Sequence, residues 1–415
     1  MSHRVDHAPA APARPGRGPS SRLIGVDVTR GLAILGMVAV HSLESITDSG
    51  RPTWTFSLAA GRSAAIFAVL AGVSIAFISG RRQRKRGARS TGIAASLLAR
   101  AVVIGLIGLL LGYTDPEYGT VILTYYAVMF VLAVPLIYLG TRTLVGVAIA
   151  TGVLAPVLSH AVRTGLPDPI LEQLSFSAVL RQPLDVLWTL TLTGEYPAVV
   201  WMAYLSTGLV VGRLTLSSMR TATRLLATGT ALMICSAALS WAALHAFGGF
   251  ASIQRAAEAE TVTEILIFGA DGTVPTGTWW WLAVNGPHTG TPLDLMATIG
   301  SSLAVLGAAL LLGHVAQPFW SGVIRVVYAP LAAVGTLSLT VYVGHIMFVN
   351  SDFDMYEPVS GYVRQVVTMS ALALAWHATA GRGPLEGLVT AVTTRVRRYT
   401  ENRVNRGGND VGPAA

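Results

Sequence analysis

Charge is scarce in this chain. Of its 415 residues only 12% are Asp, Glu, Lys or Arg, against 52% hydrophobic, and the mean hydropathy is +0.58. So little charge cannot give a soluble globule of this size a polar surface, which excludes a soluble enzyme and implies a polytopic protein in contact with the lipid bilayer. Lysine is nearly absent: Lys85 is the sole one, and arginine carries the rest of the basic excess, 29 Lys+Arg against 21 Asp+Glu for a net +8. The arginines cluster in short segments between apolar runs, so they report topology and argue against nucleic-acid binding. With one cysteine, Cys235, no internal disulfide or thiolate cluster can form, no metal site is expected, and Cys235 itself reads as a small buried hydrophobe. A Walker loop, a dinucleotide glycine fingerprint, zinc-ligand spacing and a serine elbow are all missing. So is any visible internal repeat, which disfavours a repeat-built transporter.

What is present is a series of apolar segments of roughly 20 residues, the length that crosses about 30 Å of hydrocarbon, recurring about ten times. They fall near Val28 to Leu43, Leu58 to Ser79, Ile93 to Tyr113, Thr120 to Leu139, Leu144 to Ala161, Tyr196 to Leu214, Leu225 to Ala246, Leu293 to Leu312, Val327 to Val349 and Tyr362 to Ala378. Leu180 to Leu192 is shorter and reads as re-entrant or interfacial. The stretch from Arg81 to Arg86, Arg142, Arg213, Arg220, Arg224 and Arg325 alternate with acidic and aromatic connections at Asp115 to Glu117, Glu258 to Trp281 and Asn350 to Glu357. Arg14, Arg17 and Arg22 before the first segment and the arginines from Arg395 to Arg406 after the last complete the pattern. The positive-inside rule then predicts a multi-pass plasma-membrane protein with both termini cytoplasmic. Residues 1–21 and 401–415 read as disordered tails around one transmembrane domain, 22–400. Thr390 to Arg398 suits a short helix on the cytoplasmic membrane face, or a polar end anchoring the last segment.

Topology assigns a depth to each polar residue. Asp27 and Arg30 sit at the cytoplasmic entry of the first segment, as an ion pair or helix-entry device, or as part of a cofactor site. His41 and Glu44 lie about three turns farther on, at about 1.5 Å per residue, and at a spacing of three they are expected to share a helix face. A carboxylate beside an imidazole raises its basicity and holds its orientation, as a general base requires. The same outer level receives Arg51 and Arg62 from the first outer loop, Glu195 and Tyr196, His288 in the Asn285-Gly286-Pro287-His288 loop, and His345, with Tyr342 one turn before it. Each of these histidines also has a packing reading as a hydrogen-bonded intramembrane residue. Trp279-Trp280-Trp281 reads as an interfacial aromatic anchor, or as indoles that grip a sugar ring.

The run Arg22-Leu23-Ile24-Gly25-Val26-Asp27-Val28-Thr29-Arg30-Gly31-Leu32-Ala33-Ile34-Leu35-Gly36-Met37-Val38, followed by Phe67-Ala68-Val69-Leu70-Ala71-Gly72-Val73-Ser74, resembles the start of the heparan-α-glucosaminide N-acetyltransferase catalytic domain and its bacterial relatives. Gly335-Thr336-Leu337-Ser338-Leu339-Thr340-Val341-Tyr342 and Arg382-Gly383-Pro384-Leu385-Glu386 are similar to the closing motifs of a related bacterial membrane family. The resemblance implies the transmembrane acyltransferase fold, in which acetyl-CoA or another acyl-CoA bound from the cytoplasm gives its acyl group to an acceptor on the far side. One departure stands out: sugar-acetylating members carry a catalytic His three residues ahead of a Trp, and the matching place before Trp54 holds Arg51, which cannot act as a base.

The sequence therefore predicts an all-α integral membrane bundle of about ten transmembrane helices that moves a short acyl group to an envelope sugar or similar acceptor. His41 oriented by Glu44 is the expected base, with His288 supporting or replacing it and Arg51 and Arg62 stabilising negative charge. Glu195, Tyr196, Tyr342 and His345 complete the acceptor side; Asp27, Arg30 and Arg100 serve the CoA side, where the Arg81 to Arg86 cluster also attracts phosphates. A transporter or flippase of an amphipathic solute and a non-catalytic scaffold are the alternatives, and oligomeric state is open.

Overall fold

The computed structural model describes residues 23–409; Arg14, Arg17, Arg22, the tail expected over 1–21 and residues 410–415 lie outside the described residues. Among the described residues the regular structure is helical, apart from one isolated bridge between Ile46 and Pro52. This is what a bilayer demands, because a helix satisfies its own backbone amides where no water can.

Along the chain come α1 (Ile24–Ser42), α2 (Trp54–Ala59), α3 (Arg62–Ile78), α4 (Ala88–Leu111), α5 (Leu123–Ala133), α6 (Thr141–Val162), α7 (Phe176–Arg181) and α8 (Pro183–Trp188). There follow α9 (Ala198–Gly212), α10 (Met219–Trp241), α11 (Gly249–Ala256), α12 (Ala259–Phe268), α13 (Pro292–Leu312), α14 (Pro318–Thr336), α15 (Ser338–Val349), α16 (Pro358–Thr379) and α17 (Pro384–Asn409). Among the described residues, seven helical stretches are long and apolar enough to cross a membrane, and Leu123–Tyr138, Ala198–Gly212 and Ser338–Val349 are shorter apolar ones. The protein is thus an α-helical membrane protein.

Cross-links between turns show which ends lie together. Arg81 donates to the carbonyls of Gly212 and Leu214, Gln83 to that of Tyr138, Arg213 to that of Leu139, and the His314 ring meets the Ser217 carbonyl. These turns share one basic end of the bundle with the start of α1, where Gly25 lies against Ala309 and Leu310. The central helices meet through small residues: a Cβ on Gly72 of α3 would overlap the Leu205 carbonyl of α9, and one on Gly208 would overlap the Val69 carbonyl. Such seams let backbones touch where no hydrophobic drive separates helix from lipid.

One predicted segment is broken. Val327 to Val349 divides at Leu337 into α14, which crosses the N-terminal third of α1 at backbone contact between Gly31 and Gly335, and α15, which continues alongside α1 toward its far end. The break is held from elsewhere: the Glu386 carboxylate accepts from Leu339 N–H at 2.7 Å, Thr340 N–H at 3.1 Å and the Thr340 hydroxyl at 2.6 Å, capping the start of α15. The two closing motifs of the sequence therefore touch. That contact also places α17, which is 26 residues long, packs along α4 with Glu401 over Gly92, and extends past the boundary at residue 400 to Asn409 instead of forming a short surface helix.

Two further expectations are corrected. Cys235, expected to be buried, is exposed on α10. Trp281 is fully buried, the centre of a small core with Leu244, Ile253, Val262, Ile265 and Val284 that turns the long connection between α10 and α13 into a cap at the far end; only Trp279 of the tryptophan triplet is strongly exposed.

Candidate active site

The far end of α1 delivers His41 into the bundle interior. Its ring lies 3.1 Å, Nδ1 to Nε2, from His345 of α15, which is 1% exposed. His345 in turn places Nδ1 2.8 Å from Oε1 of Gln365 on α16, and the Gln365 amide donates to the Ser42 hydroxyl at 3.1 Å. Glu44 is not part of this arrangement. Helix α1 ends at Ser42 and Leu43 is extended, so the spacing of three no longer returns Glu44 to the His41 face; its side chain is exposed and His345 takes the place expected for it.

The free side of His41 is shaped by the connection from α4 to α5. Gly119, at φ +114°, passes so close that a Cβ there would lie 2.6 Å from His41 Nε2. Gln173 clamps this connection, accepting from Val121 N–H at 2.9 Å and donating to the Gly119 carbonyl at 2.8 Å. His41, Gly61, Thr120, Ile122, Tyr196, His288 and Tyr342 line a narrow pocket of about 30 Å³, room for one or two waters. His288 enters it from the loop before α13, held by Gly272 N–H donating to the His288 carbonyl at 2.7 Å. The two imidazoles that the sequence placed at one level thus face one pocket.

Their chemistry differs. His288 Nε2 accepts from Gly61 N–H at 3.1 Å, so a neutral His288 carries its proton on Nδ1, a buried atom with no partner among the described residues. With its Nε2 lone pair engaged by the Gly61 amide, His288 presents no free lone pair to the pocket in this arrangement. Tyr196 packs edge-on against His288 at 5.6 Å between ring centroids, and Glu195 lies beside His288 and Asp294. Arg62 does not line the pocket: its guanidinium bonds the Ser57 carbonyl, within electrostatic reach of Asp294. Arg51 is exposed in the first far-end loop, bonded to Ser49 at 3.3 Å and likewise outside the pocket. The placement of Arg51 follows from its loop folding back on itself through the Ile46 to Pro52 bridge.

Below this pocket lies a larger cavity of about 380 Å³. Arg30, Ser74, Arg100, Thr336, Arg382 and Glu386 line its basic-end half, and Met37, Ile122 and Tyr342 line both chambers. Those three side chains are therefore the partition between them, and Tyr342 is pinned by Ile122 N–H donating to its hydroxyl at 3.3 Å. Arg30 bonds Asp27 at 3.2 Å, Ser74 at 3.0 Å and the Gly335 carbonyl at 3.4 Å, tying the opening motif to α3 and α14 at the cavity wall. Asp27 is buried and is not among the cavity-lining residues. Arg100 stands over the Phe130 ring at 5.7 Å. Gln365, Gln173 and Gly119 carry no signal in one sequence: a buried amide side chain or a loop glycine looks like any other until its partners are known.

The fold and site define a helical membrane bundle with an arginine-lined chamber toward its basic end, a far-end pocket lined by two imidazoles, and a thin wall between them. Residues 22–247 match the family model described as heparan-alpha-glucosaminide N-acetyltransferase, catalytic, which is more than half of the chain; the protein belongs to this family, and its function is of the membrane acyltransferase type. The match spans His41, Arg100, Glu195 and Tyr196 and ends before His288, His345 and Gln365. No protein of curated function matches the chain.

Proposed function

We propose that the protein transfers an acetyl or other short acyl group from a cytoplasmic acyl-CoA to an amine or hydroxyl of an envelope sugar or similar acceptor on the outer side, crossing the membrane about ten times with both termini cytoplasmic. The observation that carries this reading is the pair of chambers sharing Met37, Ile122 and Tyr342. The inner chamber suits the pantetheine arm of CoA, with Arg30 and Arg100 in its wall and the nucleotide phosphates outside. Arg395 and Arg398 on α17 line a surface pocket that shares Arg382 and Thr390 with that chamber, and Arg84 of the Arg81 to Arg86 turn lies within electrostatic reach of Arg397 on the same helix. Positive charge is crowded there: burial first, and then Arg89, Arg82 and Arg397, hold the Arg84 guanidinium below its ordinary pKa, a field that favours a polyanion.

In the reaction, His41 Nε2 takes the proton from the acceptor N–H or O–H as that atom attacks the thioester carbonyl. The carbonyl oxygen gathers charge beside the Tyr342 hydroxyl, whose oxygen is already engaged by Ile122 N–H, leaving its proton for the developing oxyanion. The C–S bond then breaks and the CoA thiolate recovers a proton from the His41 imidazolium. Arg51, standing where family members carry a His, has no part because His41 fills the role from the helix end. The test is purified protein in proteoliposomes with radiolabelled acetyl-CoA and glucosamine as probe acceptor. Transfer that is lost in His41→Ala supports the reading; uptake of glucosamine without acyl turnover establishes a transporter in its place, and absence of both CoA binding and transfer leaves a scaffold.

A further inference from the structure

Gln365 has no task in the reaction just described, yet it is 5% exposed, lies on a helix whose other residues are mostly exposed, and spends its amide on the outer site. Its Oε1 offers only lone pairs, so the His345 Nδ1 that it meets at 2.8 Å must carry hydrogen. A neutral imidazole has one N–H, which leaves His345 Nε2 as an acceptor. The atom 3.1 Å away, His41 Nδ1, must then be the donor, and the proton of His41 is fixed on that nitrogen. His41 Nε2, on the side facing Gly119 and the pocket, is left with its lone pair bare.

We infer that Gln365 is a positioning residue: through His345 it sets the tautomers of two imidazoles in series and so presents His41 Nε2 as a base. This rests on the acyl-transfer reading for its purpose, though not for its geometry. The alternative is equally definite. Were the amide turned over, its N–H would face His345 Nδ1, each donor in the series would reverse, and His41 would offer a proton at Nε2 in place of a lone pair. The other titratable groups facing this pair are His288, Tyr196 and Tyr342 around the pocket; on α16 the neighbouring Arg364 is turned away onto the Tyr356 ring at 4.2 Å.

Nitrogen-15 solid-state NMR on histidine-labelled protein in lipid reads the tautomers without any need for turnover, with His41→Asn and His345→Asn assigning the signals. The wild type is expected to show Nδ1–H at both rings, and Gln365→Met to add the Nε2–H form at both. An Nε2–H tautomer at His41 in the wild type overturns the proposal, whatever the protein catalyses. In the acetyl-transfer assay Gln365→Met is expected to lower kcat on the order of 10- to 100-fold with the acetyl-CoA KM unchanged. Gln365→Glu keeps the acceptor but stabilises the His345 imidazolium, which must lose its proton before Nε2 can accept, so its activity should recover as pH rises while that of Gln365→Met does not. Equal losses in both variants at every pH would mean that Gln365 only packs.

Discussion

Gly119→Ala probes the outer pocket with a single methyl group. The new Cβ would stand 2.6, 2.8 and 2.9 Å from Nε2, Cε1 and Cδ2 of His41, so ring or backbone must give by roughly 0.8 Å to reach an ordinary 3.4 Å contact. The backbone resists, because φ there is +114°, a region costing a non-glycine residue about 1–3 kcal/mol, and because Gln173 clamps residues 119 and 121 from both sides. The ring can move only by stretching its 3.1 Å contact with His345. A displacement near 1 Å at a reacting group costs on the order of 100-fold in rate. Acetyl transfer from radiolabelled acetyl-CoA to glucosamine should therefore fall about 100-fold in kcat, with the donor KM changed by less than about 2-fold, since the inner chamber is untouched. A variant that keeps wild-type kcat would refute the placement of His41 Nε2 at the reacting face, and a rise in KM alone would move the effect to the wrong chamber.

Other perturbations separate the remaining parts. Arg100→Gln, which removes a cation from the inner chamber wall, should raise the acetyl-CoA KM about 10-fold or more with a smaller effect on kcat; the reverse pattern would place Arg100 outside the donor site. Trp281→Ala empties the centre of the far-end cap and should destabilise it by about 3–5 kcal/mol, read as faster proteolysis of residues 249–291 ahead of global unfolding. If the cap and the bundle lose protection together, the cap is not a separate unit. His288→Ala leaves the Gly61 amide without its acceptor, a cost of about 1–3 kcal/mol, and should lower melting temperature more than it changes the pH dependence of transfer; loss of the acidic limb would restore His288 as a base. Glu386→Gln should weaken the cap on α15, visible as increased hydrogen exchange at Leu339 and Thr340.

Much of the bundle was legible in one dimension. Hydropathy over windows of about 20 residues identifies a helical membrane protein because the bilayer imposes one length on every spanning segment. Arginine placement grouped the turns that the structure joins at the basic end, among them Arg81, Gln83 and Arg213. Depth follows from counting about 1.5 Å per residue, which is why His41, Tyr196, His288, Tyr342 and His345 were brought to one level and do line or adjoin one pocket. What counting does not give is the angle at which a residue points. Glu44 departs on that ground, two residues past the end of its helix at Ser42, and Arg51 because its loop folds back on itself.

By itself, then, the sequence determined the solvent in which this protein folds, the lengths of its segments, the grouping of its arginine-rich turns and the level at which its imidazoles lie, since each depends only on composition and rise along the chain. Tertiary structure alone decided which partners those imidazoles keep: His345 and not Glu44 for His41, the Gly61 amide for His288, Gln365 behind His345, and Glu386 across the break at Leu337. These are contacts between residues tens to hundreds of positions apart, set by how glycine seams rotate and tilt one helix against another, and no periodicity within a single segment encodes them.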